Sequence, residues 1–71
     1  MERNEFGRIL KELRLADGLS QRSLGNVLSV NNQTVSFWET GSREPDLDTL
    51  VRLCKYFKVS ADYLLGMSIL E

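Results

Sequence analysis

Leu, Ile, Phe and Val recur along this chain at intervals of three and four residues, and strict apolar–polar alternation never persists. That is the period of amphipathic helix, laid down in short pieces. Phe6, Leu10 and Leu13 form a first stripe with Ala16 at its margin, and Gly18 is its stop signal. Ser20 is an N-cap residue for a second piece carrying Leu24 and Leu28, because its hydroxyl can accept a first-turn N–H. Ser29-Val30-Asn31 breaks the pattern, and Asn31 caps a third piece with Val35 and Trp38, closed by Gly41. Pro45 disfavours helix before it, so residues 42–46 read as a loop whose last residue, Asp46, caps the next element. Leu47, Leu50, Leu53, Cys54 and Phe57 then make a strong fourth stripe. Ser60 caps a short fifth piece holding Leu64 and Leu65, with Gly66 after it. The pattern predicts an all-α fold: a compact five-helix bundle occupying residues 1–71 as a single domain, with no strand.

The second and third pieces carry the functional signal. Two short helices joined by a three-residue break cannot lie antiparallel side by side and must cross steeply. The crossing brings their backbones together where only a minimal side chain fits, and Gly25 supplies it at the usual helix-interior cost of about 0.5–1 kcal/mol. Leu24, Leu28, Val30, Val35 and Trp38 fall at spacings that turn them to one core. This predicts a helix-turn-helix over about residues 21–40, in which the second helix enters the major groove of DNA. Ser29 stands in the turn where such motifs usually hold Gly, a place for positive φ.

Composition narrows the alternatives. Seventy-one residues allow one domain. With no His and one Cys, neither an intrachain disulfide, a zinc site nor a thiol–imidazole pair is available. The chain has no nucleophile–base pair and no Gly-rich phosphate loop, so no enzyme, cofactor or metal is expected. No apolar run approaches the roughly 20 residues of a membrane span. The first 17 residues carry eight charges, which leaves no signal-peptide core, and a reducing cytoplasm is the expected compartment.

The formal charge of −1 argues at first against nucleic acid. Resolved by segment it does not. Residues 1–17 are neutral, residues 18–43 carry Arg22 and Arg43 against Glu39 for a net +1, and residues 44–71 hold −2. Acid is concentrated in the C-terminal third, and few phosphate ion pairs with a shallow salt dependence are expected.

Leu19-Ser20-Gln21, Leu24-Gly25, Val30, Thr34-Val35-Ser36, Trp38-Glu39, Gly41, Arg43, Pro45, Leu47, Thr49-Leu50 and Val59-Ser60 together resemble the Xre-type helix-turn-helix family, which includes the DNA-binding domains of phage repressors and Cro proteins. The resemblance runs from about Phe6 to Leu65. It implies a repressor-like fold and a transcriptional regulator of double-stranded DNA, with no operator sequence specified. It also implies an ion pair between Arg14 and Glu39 that joins the first helix to the third, and a homodimer on a palindromic site.

The exposed face of the third helix carries Asn31, Asn32, Gln33, Ser36, Phe37 and Thr40 in place of the usual Lys, Glu and Arg. Asn32, Gln33 and Ser36 read as base contacts, since Asn and Gln can bond bidentately to adenine; a solvated polar face is the alternative. Phe37 replaces the polar or basic residue of many relatives and reads as a thymine-methyl contact or as cover for the core rim. Trp38 faces inward and reads as core. Gln21, at a helix N-terminus that favours anions, together with Arg22, Asn31, Ser42 and Arg43, reads as a phosphate contact. In the relatives the residue matching Gln21 also braces the recognition helix.

Tyr63, Leu64, Met67, Ile69 and Leu70 are more apolar than a soluble terminus needs. With the tail at residues 66–71 they read as a dimer interface, or else as closure of the monomer core. Ile9 and Leu15 stand where relatives often carry charge and read as exposed extras, and Leu47 to Phe57 reads as packing throughout. The chain ends close to the last helix, which fits a stand-alone regulator or a fragment of a longer repressor. A DNA-binding antitoxin and a helical protein-interaction module are the competing functions.

Overall fold

Four of the five helices begin on the side chains that local hydrogen-bond chemistry selects. A computed structural model describes residues 5–67, which form α1 (Phe6–Ala16), α2 (Gln21–Leu28), α3 (Asn32–Thr40), α4 (Leu47–Phe57) and α5 (Ala61–Leu64), with no strand among them. Ser20 accepts the Ser23 N–H, Asn31 that of Thr34, Asp46 that of Thr49 and Ser60 that of Tyr63, at 2.8–3.0 Å. Each cap satisfies a first-turn donor that has no partner within its helix. α1 starts at Glu5 without a side-chain cap.

The core is drawn from every helix: Phe6, Ile9 and Leu10 of α1, Leu24 and Leu28 of α2, Val35 and Trp38 of α3, Leu53 of α4 and Leu64 of α5. Burying each of these side chains contributes about 1.5–3 kcal/mol, against a chain entropy that makes the net stability small. α2 and α3 pack on each other, and α1 lies across α3. The turn between α2 and α3 carries Ser29 at φ 61°, the left-handed conformation expected of that position although the residue is not Gly. A Cβ added to Gly25 would stand 2.6 Å from the Val30 carbonyl oxygen, so the crossing admits no side chain there.

The structure corrects the sequence reading at four places. Ile9 is buried, because it lies on the same face of α1 as Phe6 and Leu10, while Leu15 is exposed. Ala16 is exposed at the end of α1 and takes no part in the stripe. Leu47 is 78% exposed: it sits directly after the Asp46 cap, where the first turn of α4 overhangs the edge of the core that Leu53 reaches. Leu64 is fully buried and packs in the core, so it is removed from the dimer surface.

Candidate nucleic-acid interface

The pitch of α3 is set by one carboxylate. Glu39 takes the Arg14 guanidinium in a two-point contact, Nε to Oε2 at 2.6 Å and Nη2 to Oε1 at 3.0 Å. Oε1 also accepts the side-chain amide of Gln21 at 3.1 Å, and Arg14 donates its remaining Nη1 to the Leu19 carbonyl at 2.9 Å. The Arg14 and Glu39 side chains are only 7% and 4% exposed. Hydrogen bonding to Glu39 raises the Arg14 pKa above its ordinary value, against the lowering effect of burial. One acidic side chain therefore ties α1, the start of α2 and the end of α3 into a single bracket. The family resemblance pointed to the pair and to a bracing role for Gln21, whose place at the first position of α2 lets it reach the same carboxylate.

A second contact on α3 left only a faint trace in the sequence. A Cβ on Gly7 would stand 2.6 Å from the carbonyl oxygens of both Trp38 and Glu39. α1 thus rests directly on the C-terminal backbone of the third helix, and the signal for it was a Gly inside a helical pattern, the same signal that marked Gly25.

With Val35 and Trp38 buried, the 3.6-residue period turns Asn32, Gln33, Ser36, Phe37 and Thr40 to the other side of α3. Asn32, Gln33 and Thr40 are exposed, and Ser36 and Phe37 are half-buried. Asn31 is exposed and uses its Oδ1 twice, accepting the Thr34 N–H at 2.9 Å and the Thr34 hydroxyl at 3.0 Å. Its side-chain amide nitrogen is a further hydrogen-bond donor on this surface. Gln21 is half-buried, and the N–H groups of Gln21 and Arg22 open α2, where no intrahelical acceptor exists for them. Arg22, in the first turn of α2, and Ser42 and Arg43, just after α3, are exposed.

The charge of the surface follows from the bracket. Glu39 is the one acid of residues 18–43, and Arg14 neutralises it. What remains of the segment's formal charge is Arg22 and Arg43, and the outward face of α3 is neutral and hydrogen-bonding.

The loop after α3 is folded back on its own helix. The Phe37 carbonyl oxygen accepts the N–H of Ser42 at 2.9 Å, the N–H of Arg43 at 3.2 Å and the Thr40 hydroxyl at 3.3 Å. This brings the Arg43 guanidinium over the Phe37 ring, 4.8 Å from its centroid.

Of the residues read as dimer contacts, Tyr63 and Met67 are exposed, at 44% and 61%, and Ile69 and Leu70 lie outside the described residues. Among the described residues no helix is long and apolar enough to cross a membrane, and no group of three or more His, Cys, Asp or Glu is placed to hold a metal ion.

Known proteins are similar to this chain in sequence and fold. A family model described as helix-turn-helix matches residues 10–64. The HTH-type transcriptional regulator ImmR of Bacillus subtilis is 42% identical over 61 residues, which are 86% of this chain and 48% of the relative. The chain spans about half the length of the curated relatives it matches. Among solved structures, a transcriptional regulator from Listeria innocua superposes with a TM-score of 0.87 at 31% identity, over 99% of this chain and 64% of that one. The P22 c2 repressor in complex with a synthetic operator superposes with a TM-score of 0.82 at 29% identity, over 96% of this chain and 100% of that one. The matched span and these neighbours agree with the geometry of α2 and α3: the chain belongs to the helix-turn-helix family, in its Xre-type, phage-repressor-like branch.

Proposed function

We propose that this chain is a sequence-specific binder of double-stranded DNA that regulates transcription as a repressor, with α3 in the major groove. The observation that carries the reading is the neutral, hydrogen-bonding face of α3, held by the Arg14–Glu39–Gln21 bracket, together with Arg22 and Arg43, which are exposed and pair with no described carboxylate. Asn32 and Gln33 read base edges, Ser36 assists, and Phe37 lies against thymine methyl groups. Gln21, Arg22, Asn31, Ser42 and Arg43 hold the phosphates and so fix the register. The P22 c2 repressor, solved on a synthetic operator, supports the assignment by its likeness over nearly the whole chain. Two cationic contacts per chain correspond to a slope of log K on log salt of about −2 per bound chain.

A single reading head buries little area, so the active unit is a homodimer on two half-sites about 34 Å apart. Exposed Tyr63 and Met67 beside the C-terminus supply its contact, without Leu64. Selection of bound sites from a random DNA pool tests the whole reading. The expected product is a two-fold symmetric consensus, and Gln33→Ala relaxes one base pair of each half-site with a loss of about 1–3 kcal/mol. A pool that yields no consensus refutes sequence-specific binding. Equal losses for Gln33→Ala on cognate and random DNA refute base reading by that residue.

A further inference from the structure

The ring of Phe37 has one face already covered. The Arg43 guanidinium lies over it at 4.8 Å from the centroid, within cation–π range. Its approach is held by the backbone, because the N–H groups of Ser42 and Arg43 both bond to the Phe37 carbonyl. Thr40 locks the same turn, its hydroxyl bonding to that carbonyl and lying 3.0 Å from the Ser42 hydroxyl. Among the described residues the ion pairs are made by Arg8 and Arg14, and no described carboxylate pairs with Arg43.

We propose that Phe37 is a positioning residue for Arg43: its ring is a shelf that holds the guanidinium at the end of the recognition helix, ready for a DNA phosphate. The inference rests on the DNA-binding reading and assigns Phe37 a second role there. A guanidinium suits a shelf because it is planar and weakly hydrated. It stacks through its face while its five N–H donors, all in the plane, stay free for a two-point contact with phosphate oxygens. An ammonium has no such division of labour. An aliphatic side chain in place of Phe37 would fill the space but lacks the negative ring face that attracts the cation. Phe37 is only half-buried, so the thymine-methyl contact proposed for it and the shelf for Arg43 fall on one side chain.

The test measures DNA affinity between 50 and 200 mM salt on the selected site, for the unaltered chain, Phe37→Tyr, Phe37→Leu, Arg43→Ala and the double variant Phe37→Leu/Arg43→Ala. Arg43→Ala lowers the magnitude of the salt slope by about 1. Phe37→Leu weakens binding about two- to fivefold, moves the slope toward that of Arg43→Ala, and has a smaller effect once Arg43 is gone. Phe37→Tyr, which keeps the ring face, restores both values. Additive losses in the double variant, or a Tyr variant that behaves like the Leu variant, overturn the inference while leaving sequence-specific binding intact. An unchanged slope in Arg43→Ala removes the phosphate contact and the inference with it, and absence of any selected sequence removes the functional reading as well. If Phe37→Leu does not fold, proton chemical shifts in the DNA-free chain decide: the Arg43 Hδ and Hε signals move upfield under the ring current, and ordinary values overturn the stacking.

Discussion

Replacing Glu39 by Ala isolates the energetics of the bracket. The substitution removes the acceptors for Arg14 Nε at 2.6 Å, Arg14 Nη2 at 3.0 Å and Gln21 Nε2 at 3.1 Å. It leaves a guanidinium that is 7% exposed with the Leu19 carbonyl as its described acceptor. Breaking one side of a buried pair in this way costs about 3–5 kcal/mol, most of it the penalty of the stranded charge. A chain of 71 residues, at about 0.05–0.15 kcal/mol per residue, has roughly 4–11 kcal/mol in total, so the variant loses from about a quarter to all of its stability. Replacing both partners, as Arg14→Met with Glu39→Leu, strands no charge and stays within about 1 kcal/mol of the original or gains stability. Urea unfolding followed by fluorescence of Trp38, the one Trp and a buried core residue, measures all three chains. A loss below about 1 kcal/mol for Glu39→Ala, the range of exposed pairs, would refute the argument. So would a double variant as unstable as the single one.

Three further outcomes follow from the same structure. Gly25→Ala places a Cβ 2.6 Å from the Val30 carbonyl, so a net loss of about 1–3 kcal/mol is expected in the same urea assay despite the better helix propensity of Ala; an unchanged or higher midpoint contradicts the close crossing. Asp46 is held below its ordinary pKa of 3.8 by the Thr49 hydroxyl and the Thr49 N–H. Its contribution is therefore complete above that value and lost as pH falls through the lower folded-state value, so Asp46→Asn, which keeps a cap acceptor, flattens acid unfolding below about pH 4. An identical acid profile would exclude this linkage. Burial pushes the Cys54 thiol pKa up, so alkylation near neutral pH is slower in the folded chain than in urea, and equal rates would contradict the assignment.

What the sequence made legible was mostly local or steric. Ser20, Asn31, Asp46 and Ser60 each bond a backbone N–H three residues on, and that chemistry is written in the neighbouring residues alone. Gly25 was legible because a Gly inside a helix is costly without a packing reason. Periodicity identifies a face but not where the core ends, which is why Leu47 and Leu53, on one stripe, finish at 78% and 0% exposure. Leu64 looked like a sticky surface because α5 packs not only on its neighbour α4 but also on α1, at the far end of the chain. The faces of α3 followed from Val35 and Trp38. The meeting of Arg43 and Phe37 did not, because it depends on the path by which the loop returns to the Phe37 carbonyl. Gly7 against Trp38 and Glu39 is tertiary in the same sense.

The bracket at Glu39 has a consequence for how such a protein changes its target. The groups that hold α3 in place, Glu39 with Arg14 and Gln21, and the α3 backbone against Gly7, share no side chain with Asn32, Gln33 or Ser36. Sites that share no partner respond to substitution nearly independently. On the proposed reading, exchanging the outward residues rewrites the recognised sequence without loosening the mount, and a lineage of such chains can drift from one operator to another while its melting temperature stays put. Phe37 is the exception: its carbonyl and ring also anchor the following loop, so a change there alters the grip together with the reading.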